Sequence, residues 1–272
     1  MSLKELRKLV REALISGHET LAEALSKNYK EAEGVGGFGD ISYSFDKLSE
    51  KAIIESIRSE VSRVYIISEE AGFIACKDPE YYVIIDPVDG STNAFYGIPF
   101  HASSILISKS PKMEDAVVAG VIDHSSKSIF VGDREGNVSI NDHAPKLRRS
   151  RPLSDALIQM NLDALRKGEG EPIRKWAERI LRKARHIRYF SAASLELCYL
   201  LDGKADAYIC LTPNLKIMDF CASVSLLRWS GGAYRILGKE PTLLATGKFG
   251  VIAASSRELL EEICSLRRKP RD

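Results

Sequence analysis

The segment that most constrains this chain is an apolar run ending in two aspartates: Tyr81-Tyr82-Val83-Ile84-Ile85 leads into Asp86-Pro87-Val88-Asp89-Gly90-Ser91-Thr92-Asn93. The run predicts a buried strand over Tyr81–Ile85. It delivers two carboxylates three residues apart at its end. Gly90 permits a tight turn and a close backbone approach. Ser91 and Thr92 can open a helix whose free N–H groups form a natural phosphate cradle. Hard oxygen ligands beside such a cradle suit Mg²⁺ rather than zinc. Taken alone, a helix cap with incidental acids explains the same segment equally well.

Two further acid positions strengthen the metal reading. Ser68-Glu69-Glu70-Ala71-Gly72 follows a strand expected at Val64–Ile67. Asp219 opens an apolar helix, Phe220 to Trp229, that stops at Gly231-Gly232; an acid there also suits the helix dipole. The histidines at 18, 101, 124, 143 and 186 never form a close helical pair, and the five cysteines lack zinc-knuckle spacing. A zinc hydrolase site is therefore not expected.

Around these motifs the chain divides into two halves. Residues 3–30 carry leucines at helical spacing, the glycine-rich stretch 34–40 reads as a loop, and Asp46 reads as the N-cap of a helix through Leu48, Ile53 and Ile57. Strands at Ser103–Ile107, Ala116–Ile122 and Ser128–Val131, separated by turns, predict an antiparallel meander. Helices at 172–184, 192–202 and 218–229, strands at Asp206–Cys210, Ala233–Ile236 and Gly250–Ala254, and a closing helix at 257–267 predict a second α/β lobe. The expected division is 1–145 for an N-terminal α+β lobe carrying most of the acids and 146–272 for a C-terminal α/β lobe carrying Asp219.

Composition narrows the function classes. A net charge of +2 gives no electrostatic footprint for nucleic acid, and the basic end, Arg267 to Arg271, reads as solvated. No apolar run approaches the roughly 18–20 residues that span a bilayer, and Met1–Lys8 is charged rather than signal-like. A cytoplasmic chain with reduced thiols and no membrane partner is expected. A single glutamine, Gln159, amid abundant Lys, Arg and Glu points to a thermophile origin, with compositional drift as the alternative.

Asp86-Pro-Val-Asp-Gly-Ser-Thr-Asn93, Glu69-Glu70 and Met218-Asp219 through Gly231-Gly232 together resemble the inositol monophosphatase-like superfamily of lithium-sensitive, magnesium-dependent phosphatases. Gly97-Ile98-Pro99-Phe100, Ser191-Ala192-Ala193 and Ala205-Asp206-Ala207-Tyr208 extend the resemblance over about Gly34 to Ala254. It is closest to the archaeal type that combines inositol monophosphatase and fructose-1,6-bisphosphatase activities. The resemblance implies a layered αβαβα sandwich of the α/β class, the sugar-phosphatase fold, with an antiparallel N-terminal sheet and a mixed C-terminal sheet. It implies two or three Mg²⁺ ions, replaceable by Mn²⁺, and a homodimer. Glu69, Asp86 and the Val88 carbonyl would hold one metal; Asp86, Asp89 and Asp219 would hold the second. The N–H groups of Gly90 and Ser91 would bind phosphate, while Ser91 and Asp46 orient the attacking water, with Glu69 beside them.

The implied substrate is a phosphate monoester of a sugar or cyclitol, such as fructose 1,6-bisphosphate or inositol 1-phosphate, with Ser191 and Ala192 as further contacts; Glu196 reads equally as a contact to sugar hydroxyls and as a buried structural carboxylate. The alternatives are a 3′-phosphoadenosine 5′-phosphate phosphatase and a catalytically silent binding protein on the same scaffold. Four departures stand out. Met218 replaces a common Trp; Gly37 lies where the glycine-rich loop often carries a lysine; Phe190 replaces a glycine; and the acid that contacts inositol hydroxyls in the animal enzymes falls at Cys210. Asp40 is a weak candidate for a third metal. Arg188 and Lys216 are candidate binders of a second phosphate, with a solvated surface charge the favoured reading for each.

Overall fold

The computed structural model describes residues 1–148, 151–166, 168–238 and 241–267; the basic residues 268–271 lie outside the described residues. The first half runs α1 (Leu3–Ser26), β1 (Ala32–Val35), β2 (Ile41–Tyr43), α2 (Ser44–Glu60), β3 (Val64–Ser68), β4 (Gly72–Ile74), β5 (Tyr81–Asp89), α3 (Ser91–Tyr96), β6 (Ala102–Ser108), β7 (Ala116–Asp123), β8 (Ile129–Asp133) and β9 (Ser139–Ile140). The second runs β10 (Leu157–Met160), α4 (Glu171–Lys183), β11 (His186–Arg188), α5 (Ala193–Leu201), β12 (Ala207–Leu215), α6 (Cys221–Trp229), β13 (Ala233–Leu237), β14 (Phe249–Ala254) and α7 (Arg257–Ser265).

Two sheets and three helical layers alternate. The seven-stranded sheet has the order β4-β3-β5-β6-β7-β8-β9. The expected meander is there, antiparallel from β5 through β9, and the one parallel pair is β3 with β5. The five-stranded sheet, β11-β10-β12-β14-β13, is mixed. The period of two along each central strand sets the stacking. Val83 and Ile85 of β5 face α1 and α2, packing on Leu9, Val10 and Ile53. Ile84 faces the opposite layer, where Leu195 of α5 and Val224 of α6 lie. In β12, Tyr208 and Cys210 face that same middle layer, while Ala207 and Ile209 face Trp176 of α4 and Leu259 of α7. Strands covered on both faces read as continuous apolar runs rather than alternating ones.

Several boundaries differ from the sequence reading. β5 does not stop at Ile85 but continues through Asp89, with a bulge against β6 between Asp86 and Asp89. Pro87 lacks the N–H that a regular ladder requires there. The glycine-rich stretch is the tip of a β1–β2 hairpin, with Gly34 and Gly39 at φ 94° and 92°. Asp46 is not the N-cap of α2. The helix begins at Ser44, and Asp46 sits in its first turn with Oδ2 accepting the Tyr43 N–H at 3.1 Å, as an acid three residues past the cap does in a capping box. The short strands β4, β9, β10 and β11 carry too few residues for a periodic signal.

Gly120 of β7 marks where α1 presses closest to the sheet. A Cβ there would lie 2.6 Å from Val10 Cγ1, 2.9 Å from Leu14 Cδ1 and 3.3 Å from the Phe130 carbonyl. Gly120→Leu should therefore destabilise the chain by about 1–3 kcal/mol through overpacking. Urea denaturation checks this; an unchanged midpoint would mean that α1 can shift away freely.

Candidate active site

The strand ends and turns converge on one cavity of about 530 Å³. Its wall includes Asp40, Tyr43, Glu69, Asp86, Val88, Asp89, Gly90, Ser91, Ser191 and Asp219. Asp86 and Asp89 come from the bulged end of β5, Glu69 from the turn after β3, and Asp219 from the turn between β12 and α6. The sequence motifs far apart in the chain are thus brought together.

Three of the four carboxylates are each held by one oxygen. Asp89 Oδ2 accepts the Ser194 N–H at 2.6 Å and the Ser194 hydroxyl at 2.5 Å. Asp219 Oδ2 accepts the Lys216 backbone N–H at 2.8 Å, and Glu69 Oε1 accepts the Lys216 ammonium at 2.7 Å. The turn that carries Glu69 is pinned by Glu50 of α2, whose Oε1 accepts the N–H groups of Glu70 and Ala71 at 3.1 and 3.0 Å. A carboxylate has a second oxygen free to bind. Asp86 Oδ1 is buried with no hydrogen-bond partner.

Electrostatics marks this as a site that calls for cations. Burial, then repulsion from neighbouring carboxylates including Glu69, raises Asp86 and Asp219 well above the usual carboxylate range. Burial likewise pushes Asp89 up to about 7, against the hydrogen bonds from Ser194. Burial takes Glu70 to about 7 and Asp46 to about 8. Among the described residues, no three His, Cys, Asp or Glu side chains form a ready-made metal cage. The all-oxygen donor set, the partnerless Asp86 oxygen and the mutual repulsion nevertheless fit hard divalent cations.

Gly90 caps α3 at φ 84°, and a Cβ on it would lie 3.0 Å from Ala192 Cβ and 3.2 Å from the Phe100 carbonyl. Only glycine gives that turn without strain. Ser91 Oγ donates to the Val88 carbonyl at 2.8 Å. As placed, its one proton is engaged by Val88; turned about Cα–Cβ, the same hydroxyl can donate to Asp46 instead. The Asp46 carboxyl is fully buried and does not line the cavity, although Ser91 is near enough to offset part of its upward shift. Behind the motif, Ser103 Oγ donates to the Pro87 carbonyl at 2.6 Å, and His124 Nε2 lies 2.8 Å from the same hydroxyl. That assigns the His124 proton to Nε2 and makes its Nδ1 the acceptor for His18 Nδ1, 3.0 Å away. Burial lowers His124 and keeps it neutral.

Not every expected contact reaches the cavity. Ala192 is fully buried beneath Gly90. Glu196 is 1% exposed; its Oε1 accepts the Phe190 N–H at 3.1 Å, so it braces the 190–192 turn instead of presenting to a ligand. Phe190 stacks on Phe100 at 4.4 Å, and Asn93 Nδ2 donates to the carbonyls of both. Cys210 is buried in the middle layer. A side chain at Gly37 would put its Cβ 2.5 Å from the Gly72 nitrogen, so this hairpin has no room for a lysine there. Arg188 is exposed, as expected, but Lys216 is not a surface charge: it is 3% exposed and lies between Glu69 and Asp40. Sequence reasoning missed Ser194, Glu50 and the placement of Lys216. The position of Lys216, three residues before Asp219, was the one available signal.

A model described as the inositol monophosphatase family matches residues 2–271. The chain is 30% identical over 231 residues to a fructose-1,6-bisphosphatase of Pyrococcus furiosus, covering 84% of each. It is 29% identical over 221 residues to the Nus factor SuhB of Vibrio cholerae, covering 81% of this chain and 80% of that one. A solved structure from Pyrococcus horikoshii, with similarities to inositol-1 monophosphatase, superposes with a TM-score of 0.79 at 27% identity over 99% of this chain and 100% of the other. Among the described residues, no helix is long and apolar enough to cross a membrane.

The raised carboxyl groups set a pH dependence. From about pH 4, where free carboxyls ionise, up to the folded values of about 7 to 8 at Glu70, Asp89 and Asp46, the folded chain retains protons that the unfolded chain has released. Their contribution to stability is present at the acid end and is lost as pH rises through the folded values. In chelator, the melting temperature should fall from about pH 5 to about pH 8, and Mg²⁺ should raise it more at the higher pH. A Mg²⁺ effect independent of pH, measured by scanning calorimetry, would contradict the electrostatic account.

Proposed function

The chain belongs to the inositol monophosphatase family, and from that premise we propose that it hydrolyses phosphate monoesters of sugars or cyclitols with divalent cations in the acidic cavity. The observation that carries this reading is the meeting of Glu69, Asp86, Asp89 and Asp219 with Gly90 and Ser91 around one space. Glu69, Asp86 and the Val88 carbonyl would hold one Mg²⁺, and Asp86, Asp89 and Asp219 a second. When bound, the ions supply Lewis-acid stabilisation of the phosphoryl and leaving oxygens and lower the pKa of water near neutrality.

The remaining work falls to this chain's own groups. The turn at Gly90 aims the backbone N–H groups of Gly90 and Ser91 at the phosphate, where positioning and charge neutralisation do most of the chemistry. The Ser91 hydroxyl lies between the Val88 carbonyl and Asp46. With its O–H turned from the Val88 carbonyl towards an ionised Asp46, it can accept from the attacking water and pass its own proton to Asp46, taking the water's proton in exchange. No covalent intermediate on the protein is needed. Ser191 lines the cavity and would meet the leaving group; Ala192 and Glu196 act by shaping the turn that presents it.

The test is phosphate release from fructose 1,6-bisphosphate, inositol 1-phosphate and 3′-phosphoadenosine 5′-phosphate, with Mg²⁺ and with chelator. Mg²⁺-dependent release from the sugar or cyclitol esters is expected. A preference for the nucleotide would move the chain to the nucleotide-phosphatase reading. Release from none of them would leave only the binding-protein reading, to which the complete acid set gives no support.

Asp89→Asn should lower kcat by at least about a hundredfold in a chain that still folds. Ser91→Ala and Asp46→Asn should each slow turnover, and the double variant should be little slower than the worse single one if the two act as a unit. Strictly multiplicative losses, or a purely thermal effect at Asp46, would dismiss the paired water-activation role.

A further inference from the structure

Lys216 follows directly on β12, and its ammonium pairs with two of the acids that line the cavity. Nζ lies 2.7 Å from Glu69 Oε1 and 2.5 Å from Asp40 Oδ2, while Lys248 reaches the other Asp40 oxygen only at 3.9 Å. We propose that this ammonium is a fixed third cation of the site, which fills the position between Glu69 and Asp40 and limits the chain to two divalent ions. The proposal rests on the metal reading of Glu69, Asp86, Asp89 and Asp219.

Three observations carry it. First, Lys216 is 3% exposed. An ammonium that deep cannot leave its carboxylates without a large desolvation cost. Its backbone is also anchored, since its N–H is held by Asp219 at 2.8 Å, so the side chain cannot be drawn out by a shift of the strand. Second, the ammonium uses one Glu69 oxygen and leaves the other available. It orients the acid for a divalent ion on one side while occupying the Asp40 side. Third, the charges match. Five carboxylates line the cavity, from Asp40, Glu69, Asp86, Asp89 and Asp219; one ammonium and two divalent cations carry five opposite charges. The β1–β2 hairpin, residues 32–43, contributes the acid Asp40 and no lysine or arginine of its own. The cation that balances Asp40 therefore has to come from across the cavity. Lys216 is a positioning residue here, acting through Glu69 rather than on the reacting atoms.

The experiment counts Mn²⁺ ions bound per folded chain, by electron paramagnetic resonance of free Mn²⁺ with calorimetric titration as a check. Wild type should bind two. Lys216→Met should bind three, because the gap between Glu69 and Asp40 then takes a divalent ion, and its melting temperature should fall in chelator and recover in Mn²⁺. Lys216→Arg, which keeps the charge, should stay at two. Three ions in wild type would overturn the proposal without any variant, as would an unchanged count of two in a folded Lys216→Met. No bound Mn²⁺ in wild type would overturn instead the metal reading on which it rests.

Discussion

Mutual repulsion among buried carboxylates is the constraint around which this molecule is organised. Asp86 and Asp89 are buried and Asp219 is half-buried; beyond burial itself, repulsion from Glu69 raises all three, and Asp89 adds to it at Asp86 and Asp219. Such a cluster is tolerable in a fold only if its members are held by donors and face a space that cations can enter. The structure meets both conditions. Ser194 clamps Asp89, the Lys216 backbone clamps Asp219, and Glu50 clamps the turn beside Glu69. The hydrogen-bond partners come from α5, the β12–α6 turn and α2, so the site depends on both sheets being in place. The middle helical layer joins the sheets, and its core of Leu195, Val224 and Leu227 against Ile84 and Leu106 decides whether Asp219 meets Asp86 at all.

Much of this was legible in the residues. The β5 run with its two aspartates, the Glu69-Glu70 turn and the Asp219 helix start are local signals, each readable within a ten-residue window. They gave the fold class and the family, and the acids they mark do line one cavity. What stayed illegible depends on long-range burial. Asp46 looks like a cap because acids before helices usually are; its place in the first turn, buried against Ser91, follows from how α2 packs on β5. Lys216 carries no sequence mark of its own burial beyond its place three residues before Asp219, since the acids that meet it, Glu69 and Asp40, come from distant segments. Glu196 fails as a ligand contact for the same reason: its neighbours close over it, and burial pushes its carboxyl up to about 8.

The site is also asymmetric in how firmly it is built. On the β5 side the motif backbone is braced by neutral hydrogen bonds in a dry environment: Ser49 and Ser103 both donate to the Pro87 carbonyl, and buried His124 continues that chain to half-buried His18 on α1. Two aspartates on one short bulge would otherwise spread apart, because the interrupted ladder supplies fewer backbone bonds there. On the hairpin side the contacts are ionic and nearer solvent. Asp40 is 57% exposed in its side chain while it meets Lys216, and the hairpin itself buries little. Ion pairs at such positions respond to charge and salt, whereas the braced side does not. The division has a chemical logic. Phosphoryl transfer requires fixed ligands where charge develops, and Asp86, Asp89 and the turn at Gly90 occupy the rigid wall. Substrate entry and exit require a wall that can give, and the hairpin residues Asp40, Ile41 and Tyr43 form that wall of the cavity. Lys216 joins the two, being anchored by its backbone to Asp219 and by its ammonium to the hairpin.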